Sequence, residues 1–277
     1  MANAIARPPQ SLELRPYVRL IWCYSADETW SYELVMPGGA GQLIVNLAGN
    51  ELRHWAQPGV VARKVGPVGL QGPLTHPVVI DTDQKREVCG AAFHYCGLCA
   101  FHHLPAKALT DALVEGSAVF GESALAFRLA LRHVPDADQR IELIEAYLLR
   151  HLRCRPREDA LAQQVAMELA QGARVSETQA KFGLSQRRLH DLFDRRIGVP
   201  PKMFARIERL AAALDAMPDR GCWSQLALEH GFADQAHFIR EFKQLSGSSP
   251  SQHVMLAGEK RHARPSADNI FNTGGTA

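Results

Sequence analysis

The chain has 277 residues, 46% hydrophobic and 22% charged, with Gly (21) and Pro (16) at background levels; this excludes collagen-like and low-complexity chains and leaves room for one large or two modest folded domains. The net charge is +2, balanced over residues 1–156 and with three excess cations over 157–264, a bias that permits nucleic-acid binding without announcing it. No apolar run reaches the ~18 residues of a membrane span, and Met1–Gln10 carries Arg7 but no apolar core, so neither a span nor a signal peptide is expected and the cytoplasm is the expected location.

The first ~95 residues read as strands and turns. Tyr17–Tyr24, Gln42–Leu47, Leu52–Trp55, Val65–Leu70, Val78–Ile80 and Val88–Phe93 are short β-forming runs. Gly38-Gly39, Pro58-Gly59, Gly66-Pro67 and Gly72-Pro73 fall between them, a texture that predicts a β-barrel or sandwich able to close around a small molecule. After Gly97 the texture changes. Pro105–Val114 and Glu122–His133 read as helices, and Asp138–Leu152 more clearly so, with Ile141, Ile144, Leu148 and Leu152 at helical spacing. Apolar faces within Glu122–Leu152 offer a route to a homodimer.

Arg153-Cys-Arg-Pro-Arg157 combines charge with a proline and serves best as a linker. The expected division is a regulatory domain over 1–153, a linker over 154–157, a helical domain over 158–257 and a frayed tail over 258–277. The six cysteines, 23, 89, 96, 99, 154 and 222, are irregularly spaced and read as reduced thiols.

Within the helical domain one pattern occurs twice, over 175–193 and 223–242. Each copy has a short helix, a glycine (Gly183, Gly231), one apolar residue (Leu184, Phe232), a polar cap (Ser185, Asp234) and a second helix. Leu189, Leu192 and Phe193, then Phe238, Ile239 and Phe242, supply the apolar faces, so Leu189, Phe193, Phe232, Phe238 and Phe242 are expected in the core. This is helix-turn-helix grammar, and a second helix held proud of its support fits the major groove. Between the copies, Phe204, Ile207, Leu210, Ala211 and Leu214 predict a helix opened by Pro201, a rod of ~25 Å that spaces the two recognition helices on the scale of one DNA turn.

Here the chain resembles the AraC/XylS family of bacterial transcription regulators, over roughly residues 158–255. The resemblance rests on Ser185-x-x-x-Leu189-x-x-x-Phe193, Gly198-x-x-Pro201, Arg209-Leu210-x-x-Ala213 and Leu226-Ala227-x-x-x-Gly231-Phe232. It closes with His237-Phe238-x-Arg240-x-Phe242-Lys243 and Gly247-x-Ser249-Pro250. It implies an α+β chain: an N-terminal cupin-like β-barrel with trailing helices, then an all-α domain of two helix-turn-helix motifs joined by a long helix. It implies base-facing positions at Arg187, His190 and Asp191 in the first recognition helix, and at Gln235, Ala236, His237 and Arg240 in the second. Arg suits guanine O6/N7 and Gln suits adenine. Lys181, Arg188, Arg195, Arg196, Lys202, Arg206 and Lys243 form a group of phosphate-contact positions. Two departures stand out. Asp191 occupies a position where family members often carry Arg; it can accept from a cytosine amine or hold Arg187 or Arg195. His253-Val254 replaces a frequent Tyr-Arg pair.

Gly90-Ala-Ala-Phe93, Pro105-x-x-x-Leu109-Thr-Asp111 and Val119-Phe-Gly121 are similar to the sensor-type N-terminal domain of some members. The resemblance implies double-stranded DNA and RNA polymerase as partners, an activator acting without a cofactor, and a small-molecule effector that it does not name. Where relatives carry Phe-x-Pro-Gly, this chain reads Phe93-His-Tyr-Cys96. That leaves Cys89, His94, Cys96, Cys99, His102 and His103 clustered in sequence, and Cys96, Cys99 and His102 open a metal- or thiol-sensing alternative. The same residues would serve a barrel enzyme carrying a DNA-binding appendage. No Gly-x-Ser-x-Gly, His-Glu-x-x-His or phosphate-binding loop is present, His54 and His76 are isolated, and no enzymatic activity is expected.

Overall fold

A computed structural model describes residues 3–26, 33–55, 62–153, 156–217 and 223–259. Ten strands come first: β1 (Asn3–Arg7), β2 (Val18–Ser25), β3 (Glu33–Val35), β4 (Gln42–Asn46), β5 (Leu52–Trp55), β6 (Arg63–Val65), β7 (Val68–Gln71), β8 (Val78–Ile80), β9 (Glu87–Phe93) and β10 (Leu113–Glu115). They form two antiparallel sheets, ordered β1-β2-β9-β4-β7-β10 and β3-β8-β5-β6. The larger sheet sorts its side chains by the two-residue period. Ile21, Cys23, Leu43, Val45, Cys89 and Ala91 point to one face and are buried against helices. Trp22, Tyr24, Gln42, Ile44 and Gln71 point to the other, toward the smaller sheet.

The helices over the first face are α1 (Gly116–Phe120), α2 (Ser123–His133) and α3 (Ala137–His151). Asp136 caps α3 by accepting from the Gln139 N–H. Ile141, Ile144 and Leu148 are fully buried on its inner face, each contributing about 1.5–3 kcal/mol by leaving water. Arg128 of α2 donates to the Asn46 and Gly49 carbonyls at 2.7 and 2.6 Å, pinning the helix to the turn after β4.

Four expectations are corrected here. Pro105–Val114 is not a helix: a single 3-10 turn, Ala106–Leu109, is followed by β10, which pairs with β7. The break falls at Asp111, held left-handed at φ 54° with its carboxylate accepting from the Thr75 N–H and hydroxyl. Val65–Leu70 is two strands in different sheets, turned at Gly66-Pro67. Helix α4 (Pro156–Ala170) begins inside the stretch assigned as a linker, with Pro156 at its first position. The assigned tail starts within α10 (Pro250–Glu259), and residues 260–277 lie outside the described residues, as do Cys154 and Cys222. Strands β1, β3 and β10 carry no clear sequence pattern.

The second half is helical: α5 (Val175–Phe182), α6 (Gln186–Arg196), α7 (Pro201–Asp215), α8 (Trp223–Glu229) and α9 (Gln235–Ser246) precede α10. One core joins them, with Phe193, Phe204, Phe238 and Phe242 fully buried at its centre. Met36 and Cys96 of the first half belong to this same core.

Candidate nucleic-acid interface and the cavity behind it

Both helix pairs turn at a left-handed glycine, Gly183 at φ 61° and Gly231 at φ 70°, in a conformation that a β-carbon would strain. Leu184 and Phe232 then plug the core. Ser185 accepts from the Arg188 N–H at 3.3 Å and Asp234 from the His237 N–H at 2.6 Å, so α6 and α9 each start at a satisfied cap. Between them, α7 supplies 15 residues, a rod of about 22 Å. Arg209 of α7 donates to the Gly231 carbonyl at 3.2 Å and lies 5.4 Å above the Phe232 ring, fixing the second turn to the rod.

The expected DNA-facing residues divide. Arg187, Arg188, His190 and Asp191 are exposed on α6; Gln235, Ala236, Arg240 and Lys243 are exposed on α9. Among the described residues Arg187, Arg188, Arg240 and Lys243 make no ion pair, and Asp191 pairs with neither Arg187 nor Arg195. His237 departs from the expectation. It is half-buried, its Nδ1 accepts from the Ala233 N–H at 3.1 Å, and its ring stands edge-on to Phe232.

Two cations of the phosphate group are corrected. Arg196 is buried, bonded to Glu158 at 2.6 Å and Asp159 at 3.3 Å. Arg206 grips Glu241 through two nitrogens at 2.7 and 3.0 Å and donates to Gln244. Both hold helices together. Lys181 pairs with Glu168, while Lys202 and Arg195 are exposed. His253 is buried against Phe242, so it serves the core in place of a backbone contact.

The cysteine cluster does not converge. The Cys96 thiol donates to the Asp159 carbonyl and Gln163 of α4, and the Cys99 thiol to the Arg195 and Arg196 carbonyls of α6. Burial and the Asp159 charge push the Cys96 thiol up to about 12, so it remains protonated. Burial pushes His102 down to about 4. Among the described residues no three His, Cys, Asp or Glu side chains are grouped to hold a metal ion. These thiols seat α4 and α6 on the first half of the chain. The cross-strand pair Cys23 and Cys89, opposite each other on β2 and β9, carries no motif in the sequence.

Behind the interface lies a cavity of about 520 Å³ between the two sheets, roofed by α4 and α7 through Gln163, Met167, Glu208 and Ala211. Gly39 N–H donates to Glu208 at 3.0 Å and the Tyr95 hydroxyl donates to it at 2.9 Å. Burial raises the Glu208 carboxyl above its ordinary value, against these two bonds. Phe204 packs edge-on to Tyr95 at 4.9 Å. Sequence reasoning missed Glu208 and Tyr95, because a lone Glu on an amphipathic helix and a lone Tyr after a strand carry no pattern.

The family model described as "Helix-turn-helix domain" matches residues 179–254. The C-terminal region is an AraC-type helix-turn-helix domain. Domains of the AraC type are those of DNA-binding transcription regulators. A second model, "Domain of unknown function (DUF6597)", matches residues 6–115, ahead of the AraC-type domain. No curated protein matches the chain. Among solved structures, ToxT from Vibrio cholerae is 10% identical, covering 92% of this chain and 98% of that one with a TM-score of 0.44. ToxT bound to an unsaturated fatty acid is 11% identical, covering 92% and 95% with a TM-score of 0.42. A probable AraC family transcriptional regulator from Rhodopseudomonas palustris is 25% identical, covering 35% of this chain and 93% of that one with a TM-score of 0.30.

Proposed function

We propose that the chain is a sequence-specific DNA-binding transcription regulator whose first half binds a small-molecule effector. The observation that carries the DNA reading is the pair of capped helices, α6 and α9, that lie before and after α7 in the chain and expose Arg187 and Arg240. Arg187, His190 and Asp191 meet one major-groove segment, and Gln235, Ala236 and Arg240 the next on the same DNA face. His237 contributes through its remaining ring nitrogen. Arg188, Arg195, Lys202 and Lys243 approach phosphates.

The cavity supports the effector reading. A molecule there touches the sheets and the roof helices together, so it favours one arrangement of the two halves over another. Activation by contact with RNA polymerase, a homodimer built on Glu122–Leu152 and action in the cytoplasm complete the proposal.

The test is retention of sheared genomic DNA by the purified full chain at two salt concentrations, beside Arg240→Ala. Enrichment of sites with two half-elements about one helical turn apart, lost in the variant, is the expected result. Equal, sequence-independent retention by both proteins would overturn the assignment of α9 as a reading helix.

A further inference from the structure

The chemistry of the cavity wall narrows what it takes, given the reading that it holds an effector. Its charges are already balanced. Lys85 donates to Glu33 at 2.7 Å, Arg53 donates to Asp81 at 2.8 Å, and Glu208 lies within electrostatic reach of Arg19. Burial lowers His54 and His94, so both rings are neutral near pH 7. An ionised ligand would lose its water and find no unmatched counter-charge. Trp22, Met36, Ile44, Leu52 and Leu74 make much of the remaining wall.

Among the described residues three polar atoms of that wall are buried without a partner: Trp22 Nε1, His54 Nδ1 and Arg53 Nε, the last on a guanidinium already paired with Glu51 and Asp81. Trp22 can only donate. The tautomer of His54 follows from Gln71. The Gln71 amide nitrogen donates to the Gly72 and Ala112 carbonyls at 3.2 and 3.0 Å, which leaves its oxygen to accept from His54. His54 therefore carries its hydrogen on Nε2, and Nδ1 is an acceptor. The two handles stand apart. Trp22 is on β2 and reaches over Gly90 of β9, while His54 is on β5 of the other sheet beside Gln71 of β7, whose backbone is three strand spacings, about 14 Å, from that of Trp22.

We propose that the cavity binds a neutral, elongated, largely apolar molecule with a hydrogen-bond acceptor toward one end, for Trp22, and a donor toward the other, for His54. A rigid hydroxy-ketone has this chemistry, and the volume suits a ligand of that size.

Calorimetry on the full chain at pH 7.5 tests it with four probes: testosterone and 1,10-decanediol as neutral molecules, decanoate as an anion and decylammonium as a cation. At least one neutral probe binds, and both ions bind at least about tenfold more weakly. Trp22→Phe and His54→Phe each weaken the neutral probe about tenfold, while His54→Gln, which keeps an acceptor, does so less. Urea midpoints of the variants show whether each is folded. Failure of both neutral probes, or an ion binding as well as they do, overturns the proposal. Ile44→Phe, which fills the cavity in the row between Trp22 and β7, separates this failure from a deeper one. If it changes DNA retention, the cavity still controls binding and only the ligand class is wrong. If it changes neither DNA retention nor the binding of any probe, the effector reading falls as well.

Discussion

Glu208 of α7 accepts the Gly39 N–H at 3.0 Å and the Tyr95 hydroxyl at 2.9 Å, so a residue midway along the rod between the two helix-turn-helix units is bonded to the floor of the first half. Burial raises its carboxyl above 4.5. The folded protein therefore holds the Glu208 proton more tightly than the unfolded chain does. That contribution is fully present below the unfolded value and is lost as pH rises through the raised one. Glu208→Gln keeps an acceptor without a charge. Its urea midpoint is expected to fall less steeply than the parent's as pH rises above 4.5. Glu208→Ala leaves two donors unpaired and costs about 1–3 kcal/mol at pH 7.

Gly39 is constrained by space. A β-carbon there runs into the Phe204 ring and stands 2.7 Å from Glu208. Gly39→Ala is expected to lower stability by about 1–3 kcal/mol through overpacking, and Phe204→Leu in the same chain to recover part of it. Thermal unfolding of the two single variants and the double variant measures the coupling.

The two caps differ in strength. Asp234 holds its N–H at 2.6 Å and Ser185 at 3.3 Å. Asp234→Ala is expected to cost about 1 kcal/mol and Ser185→Ala less. Urea unfolding ranks them, and equal costs would show that the cap distances do not govern the helix starts.

Lys243 and Arg206 separate recognition from scaffolding. Lys243→Ala is expected to reduce the slope of log affinity against log salt by about 1 without lowering stability. Arg206→Ala breaks the two-nitrogen pair with Glu241 and is expected to lower the urea midpoint while leaving the slope unchanged. Salt titration of DNA binding beside urea unfolding gives both numbers for each variant.

Cys96 is expected to resist alkylation by iodoacetamide at pH 8 in the folded chain and to react once urea unfolds it, because burial holds its thiol up near 12. Mass spectrometry of the labelled peptide reads this site alone. Rapid labelling in the folded state would place Cys96 in reach of solvent and reopen a thiol-sensing role.

The helix-turn-helix units were legible because each is local. The left-handed glycine, the cap and the apolar spacing lie within about twenty residues, so Gly183, Ser185, Gly231 and Asp234 could be assigned from their neighbours alone. Most of the longer strands were legible for the same reason. The helix expected over Pro105–Val114 failed because a long-range bond decided it: Asp111 reaches back to Thr75, and Leu113–Glu115 pairs with β7. Propensity within that window could not register a partner some forty residues away.

The site divides along the same line. The family resemblance placed Arg187, Gln235 and Arg240 on the two recognition helices, and all three are exposed there. It could not tell Arg206 and Arg196, tied into ion pairs, from Lys243, exposed and unpaired among the described residues, because all are cations on helices and only packing supplies the carboxylates. Cys96 and Cys99 looked like one chelating pair until folding sent one thiol to α4 and the other to α6. The cavity and its Glu208 roof arise from residues between Arg19 and Ala211 meeting in space. No run of neighbouring residues encodes such a meeting, so it comes into being with the packing of the two halves.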